Sequence, residues 1–216
     1  DGSGTAGDDF PHGLLQTPEF IIVKDLEDTD NWQIYHAGAQ TSGAKLLKFT
    51  TDEATSNTGP WNNTAPTSTL ITLGGGGTND SGNSHICYAW HSVPGLQKFG
   101  KYTGNGDTSD DGPFIELGFR PAIIWFKRIE DSSSYNWNCY DTTRSNTGNP
   151  TNEVIRLNLN NAEEVNYGSG DIDVLANGFK IRNYWANVNA DGKSYIYCAW
   201  AEAPSIDLYG GGANAR

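Results

Sequence analysis

The chain has 216 residues, among them 26 Gly, seven Trp and ten Tyr, and sets 14 Lys plus Arg against 26 Asp plus Glu. A net charge of −12 repels phosphate and weighs against a nucleic-acid partner, and no apolar run reaches the 18 residues that would predict membrane insertion. Aromatic and β-branched runs broken by Gly, Asn, Thr and Ser predict an all-β fold of short strands and tight turns.

In chain order, residues 1–13 form a polar lead-in that matches residues 103–114. Gly2-Ser3-Gly4 falls on Gly104-Asn105-Gly106, and Asp8-Asp9 on Asp110-Asp111. TPEFIIVK, from Thr17 to Lys24, then matches RPAIIWFK, from Arg120 to Lys127. Each opens on a proline and runs without polar alternation, the pattern of a strand buried on both faces. An acidic turn leads to a second aromatic strand, Asn31 to His36 in one copy and Asn136 to Asp141 in the other, and the two strands predict a hairpin.

The middles diverge. The first copy offers strands near Lys45 to Thr50 and Ser68 to Leu73, with Trp61 near the tip of the loop between them. The second offers Val154 to Leu159, Ile172 to Leu175 and Phe179 to Arg182, with Asn177-Gly178 as a tight turn. The four glycines Gly74 to Gly77 read as a mobile turn, because a phosphate cradle would need a lysine and a following helix.

Each copy closes on the same phrase, SHICYAWHSVP from Ser84 and SYIYCAWAEAP from Ser194. Large apolar groups on both faces of these runs predict a central strand in each copy. The expectation is therefore two tandem, mutually packed antiparallel β-sandwich-like subdomains, residues 1–101 and 102–216, related by internal duplication. The absence of Met and the start at Asp1 read as a piece of something longer.

Candidate sites are weighed by residue type. Asp107, Asp110 and Asp111 crowd a Gly-rich loop and would offer a hard cation such as calcium its oxygen ligands; the plainer reading is a solvated charged turn, with no cofactor. Trp61, Tyr184 and Trp185 stand among Asn, Thr and Gly, as in sites where rings stack on sugar faces and amides meet hydroxyls; anchoring of long loops explains them equally. Glu153, Glu163, Glu164, Asp171 and Asp173 include no pair that stands out as a glycosidase couple. His36, His85 and His91 become Asp141, Tyr195 and Ala201 in the second copy, so no catalytic constellation recurs and a non-enzymatic role is expected. An odd set of three cysteines argues for buried thiols rather than a disulfide framework.

The phrases FIIVKDLEDTDNWQIYH, WNNTAPTSTLITLG, SVPGLQKFGKYTGNGDTSDDGPFIELGFRPAIIWFKR, VLANGFKIRN and SYIYCAWAEAP, with the closing Asn214-Ala215-Arg216, together resemble a domain of tail-fibre and other virion structural proteins of marine tailed bacteriophages, of the cyanophage and pelagiphage type. The resemblance spans nearly the whole chain. It implies a virion protein assembled in the host cytoplasm, a trimeric homo-oligomer, other virion proteins as partners, and attachment to a host-surface glycan or receptor. A purely structural capsid, nozzle or fibre-junction module and a polysaccharide depolymerase are the alternatives.

Overall fold

The computed structural model describes residues 1–39, 46–50, 59–130, 135–145, 148–165 and 170–202. Every extended element is a β-strand, and the helical content among the described residues is two single 3₁₀ turns, Ala37–Ala39 and Gly59–Trp61. The chain divides into two units, Asp1–His91 and Ser92–Arg216. The Gln97–Thr103 strand thus belongs to the second unit, where the sequence reading had left most of it with the first; its ladder partner lies at Ser194–Ala201.

The first unit contains β1 (Asp9–Pro11), β2 (Phe20–Asp25), β3 (Gln33–His36), β4 (Leu47–Lys48), β5 (Leu70–Thr72) and β6 (His85–Trp90). A four-stranded antiparallel sheet runs β4-β3-β2-β6, and β1 pairs with β5 as a second sheet. Ile21, Val23 and Tyr35 of the larger sheet meet Ile71 of β5, with Trp61 completing the core. The uninterrupted run in β2 follows from burial on both faces, since Phe20 to Val23 are all interior.

The second unit contains β7 (Gln97–Thr103), β8 (Phe114–Glu116), β9 (Pro121–Arg128), β10 (Asn138–Asp141), β11 (Ile155–Arg156), β12 (Ile172–Leu175), β13 (Gly178–Ile181) and β14 (Ser194–Ala201). Its larger sheet runs β11-β10-β9-β14-β7 and its smaller one β12-β13-β8. Ile124, Phe126, Tyr140 and Tyr197 from the first face Ile115, Ile172, Phe179 and Ile181 from the second across one interior, which is the arrangement of a β-sandwich.

The two ladders share one register. Phe20 pairs with His36 and Trp90, and Ile123 with Asp141 and Trp200. Lys24 pairs with Ile86 as Lys127 pairs with Ile196. The correspondence extends to the turns. Gly2 N–H donates to Asn83 O at 2.8 Å and Gly104 N–H to Lys193 O at 2.8 Å, and Ser3 N–H and Asn105 N–H each donate to the Oδ1 of an asparagine, Asn79 and Asn189.

Three expectations are corrected by these ladders. Asp9 pairs with Thr72 where Phe114 pairs with Lys180, so Asp8-Asp9 corresponds to Pro113-Phe114 and the Asp110-Asp111 pair lies in extra loop. The β12–β13 turn is Ala176-Asn177, because Gly178 is already in the ladder opposite Leu175 and Glu116; a Cβ there would lie 2.1 Å from Ile115 O, so the glycine serves close strand approach. Finally, β14 is central as expected, but among the described residues β6 is an edge strand.

Candidate functional site

At the end of β2 that carries Asp25, three ligating side chains converge. Asp25, Asp80 and His85 bring one ligand atom each to within 4.8 Å of one another. The β2–β6 register sets Asp25 opposite His85, and the turn before β6 contributes Asp80, whose Oδ2 accepts from Gly77 N–H at 2.6 Å. Asp25 is fully buried. Its Oδ1 accepts the N–H groups of Glu27 and Asp28 and its Oδ2 accepts from Asn83 Nδ2 at 2.8 Å. The Asn83 hydrogen bond, ahead of the two backbone donors and the nearby His85 ring, holds the Asp25 carboxyl below the ordinary carboxylate value despite burial.

His85 Nδ1 lies 3.0 Å from Asn83 O. A carbonyl can only accept, so Nδ1 carries a proton. Nε2 then faces Asp25 Oδ2 at 3.5 Å and has no hydrogen-bond partner among the described residues. A mixed nitrogen and oxygen set is one that borderline cations such as zinc accept. Asp25 already spends both oxygens on hydrogen bonds, so the role this geometry favours is fixing the loop after β2 against the turn before β6.

The second unit places Arg128, Ala190 and Tyr195 at the positions of Asp25, Asp80 and His85. There the Tyr195 hydroxyl accepts from Ala190 N–H and donates to Ala186 O, both at 2.8 Å. A phenol thus ties down the turn that Asp25, through Asn83, ties down in the first unit. Sequence reading missed the triad because Asp25 and His85 are far apart in sequence; the signal was the paired change, Asp to Arg and His to Tyr, at facing ladder positions.

Because the folded carboxyl of Asp25 titrates below its usual value, the stability it contributes is fully present above about pH 3.8. It is lost as pH falls through the folded value. Asp25→Asn should therefore flatten the acid limb of a stability profile measured by denaturant titration between about pH 5 and 2, relative to the native chain.

The residues singled out from sequence fare differently. Trp61 is 1% exposed and Trp185 8%, so neither ring face is offered to a ligand. Trp61 meets Tyr35 edge-on, while the Arg156 guanidinium lies 4.8 Å from the Trp185 ring centre. Amide-rich surroundings made both look like loop aromatics, but core packing took the rings inward. Tyr184 remains 47% exposed.

Asp107, Asp110 and Asp111 do not converge on a common point. Asp107 Oδ1 accepts the N–H groups of Ser109 and Asp111, which holds its carboxyl low. Asp110 pairs with Arg182 and Asp111 with Lys180. Of the carboxylates weighed for glycoside cleavage, Glu163 pairs with Arg144, Glu164 with Arg156 and Asp173 with Arg182.

The thiols are equally quiet. Burial pushes Cys87 up to about 12, Cys139 up to about 11 and Cys198 well above its ordinary value, so none is a thiolate nucleophile near neutrality. The Gly74–Gly77 turn is packed at its ends: a Cβ on Gly74 would lie 1.3 Å from Gly59 O and one on Gly77 2.6 Å from Gln33 Nε2, while Gly75 and Gly76 have open space around them; Thr78 beyond it is buried with its hydroxyl on Pro60 O. No helix among the described residues is long and apolar enough to cross a membrane.

One family model, described as a domain of unknown function (DUF7483), matches residues 1–204. No curated protein matches the chain. No solved structure matches it either.

Proposed function

The chain belongs to the DUF7483 family, and from that premise we propose that it is a non-enzymatic module of a bacteriophage virion, whose work is to present loop side chains to a host-surface glycan or receptor. The observation that carries this reading is the contrast between framework and loops. The two ladders keep one register, while the turns between them hold different chemistry, an Asp25, Asp80 and His85 cluster in one unit and a phenol clamp in the other. That pattern supports descent of both units from one copied β unit whose rims were left to vary. The sequence resemblance to tail-fibre and virion proteins supplies the setting, including association with other virion proteins and a trimeric assembly. Weak single sites on such a module gain strength when many copies are tethered together.

Tyr184 is the candidate contact, an exposed ring next in the chain to the buried Trp185. Binding of the protein to a glycan array and to whole host cells tests the proposal. The expected result is saturable binding that Tyr184→Ala weakens roughly tenfold, the loss of about 1.4 kcal/mol of ring contact, with no change in the unfolding midpoint. Absence of binding to any glycan or host surface removes the attachment role.

A further inference from the structure

The last strand of each unit is the same element in a different setting. In the second unit β14 is covered on its outer edge by β7, in a ladder running from Ser194 opposite Thr103 to Trp200 opposite Gln97. In the first unit β6 has β2 on one side and no strand on the other among the described residues. Ser84 O and Trp90 O accept from Leu26 N–H and Glu19 N–H on the β2 side. By the alternation of an antiparallel ladder, the backbone groups of His85, Cys87 and Ala89 point to the open edge. The equivalent Tyr195, Tyr197 and Ala199 point to β7.

Two cavities lie along that edge, and both map onto the footprint of β7. The first, about 240 Å³, is lined by Val23, Leu73, Thr78, His85 and Cys87 among others. In the second unit the equivalent space holds Tyr102. Its ring stacks on Tyr195 at 5.1 Å and meets Phe126 edge-on, and its hydroxyl donates to Val188 O at 2.9 Å. Tyr195, Phe126 and Val188 stand where the first unit has His85, Val23 and Thr78. The second cavity, about 480 Å³, is lined by Phe10, Pro11, Ala89 and Trp90 among others. Its counterpart is crossed by Lys98, which lies opposite Ala199 and donates to Glu116 O at 2.8 Å, the positions of Ala89 and Pro11.

We propose that the β6 edge is an acceptor for one antiparallel strand of the Gln97–Thr103 kind, the exit strand of another repeat of this family, whose tyrosine fills the smaller cavity and whose backbone completes the His85, Cys87 and Ala89 ladder. This is strand addition to a sheet edge, in which main-chain hydrogen bonds give affinity and side-chain pockets give selectivity. Two features select this occupant over a generic strand. The socket is bounded by the positions that bound Tyr102, with His85, Val23 and Thr78 in place of Tyr195, Phe126 and Val188. The donor strand brings Lys98 and Lys101 to a unit that has three lysines, no arginine and eleven acidic residues. Repeats joined this way share a strand at every junction, and the proposal stands or falls independently of the virion reading.

The test extends the chain ahead of Asp1 with Gln-Lys-Phe-Gly-Lys-Tyr, the sequence of residues 97–102, and follows amide exchange of residues 85–90. The His85, Cys87 and Ala89 amides should slow at least tenfold relative to the unextended chain, and changing the added tyrosine to alanine should return most of that loss. Unchanged exchange on extension overturns the proposal, as does equal protection by a scrambled hexapeptide. So does sedimentation of the unextended chain as a dimer with residues 85–90 already protected, since β6 would then pair with a second copy of itself.

Discussion

Trp61→Ala should lower the unfolding free energy of the first unit by about 3–5 kcal/mol, the range for truncating a large buried aromatic. The indole closes a 3₁₀ turn, Gly59–Trp61, and is 1% exposed among Ile21, Val23, Tyr35 and Ile71. Truncation removes its apolar area and leaves a void that the short β1–β5 pair is poorly placed to fill. Set against a typical domain stability of about 5–15 kcal/mol, that loss brings the unit close to unfolding at room temperature. The indole Nε1 has no hydrogen-bond partner in the interior, so Trp61→Phe gives up less volume and also removes an orphaned donor. It should cost less than half as much. Denaturant titration followed by fluorescence and circular dichroism reads both variants. A loss below about 1 kcal/mol for the alanine variant, the scale of a surface change, would mean that the ring is a loop ornament after all.

That contrast shows how far the sequence carries. The β2–β3 and β9–β10 hairpins were legible because a buried run, an acidic turn and a second aromatic run recur in the same order, and register follows from laying one stretch on the other. The same comparison could not say who covers a strand's far edge, since that depends on another segment: β6 and β14 read alike, yet only β14 has β7. Sequence leaves Trp61 and Trp185 between ligand contact and loop anchoring because Asn, Thr and Gly neighbours mark a segment as loop without telling where its large side chain goes; their burial selects anchoring. Asp107, Asp110 and Asp111 looked like a cation site by composition, while the folded loop spends them on its own N–H groups and on Lys180 and Arg182. The Asp25 and His85 pair is invisible to local pattern, for the ladder alone makes them neighbours.

Arg156→Ala is expected to cost the second unit about 3 kcal/mol, the lower end of the range for breaking one side of a buried ion pair. The side chain is 7% exposed and every part of the guanidinium is used. Nη1 donates to Asn138 Oδ1 at 2.9 Å, Nε and Nη2 reach the two oxygens of Glu164 at 3.2 and 2.6 Å, and the plane lies against Trp185. Removing it leaves the fully buried Asn138 with an acceptor facing a void and takes the packing from one face of Trp185. Glu164 is 29% exposed and can be partly rescued by water, which is why the lower figure applies. Arg156→Lys keeps the charge but loses the fork and the flat face, so it should recover less than half of the loss. The first unit supplies the control: Lys48 holds the same ladder position opposite Gln33, is only partly buried, and its alanine variant should cost about 1 kcal/mol or less. If the two alanine variants prove equally mild, Arg156 is an ordinary surface cation and Trp185 is held by its apolar neighbours alone. If Arg156→Ala unfolds the unit while Lys48→Ala does not, the two units share a ladder but are stabilised at this position by different chemistry.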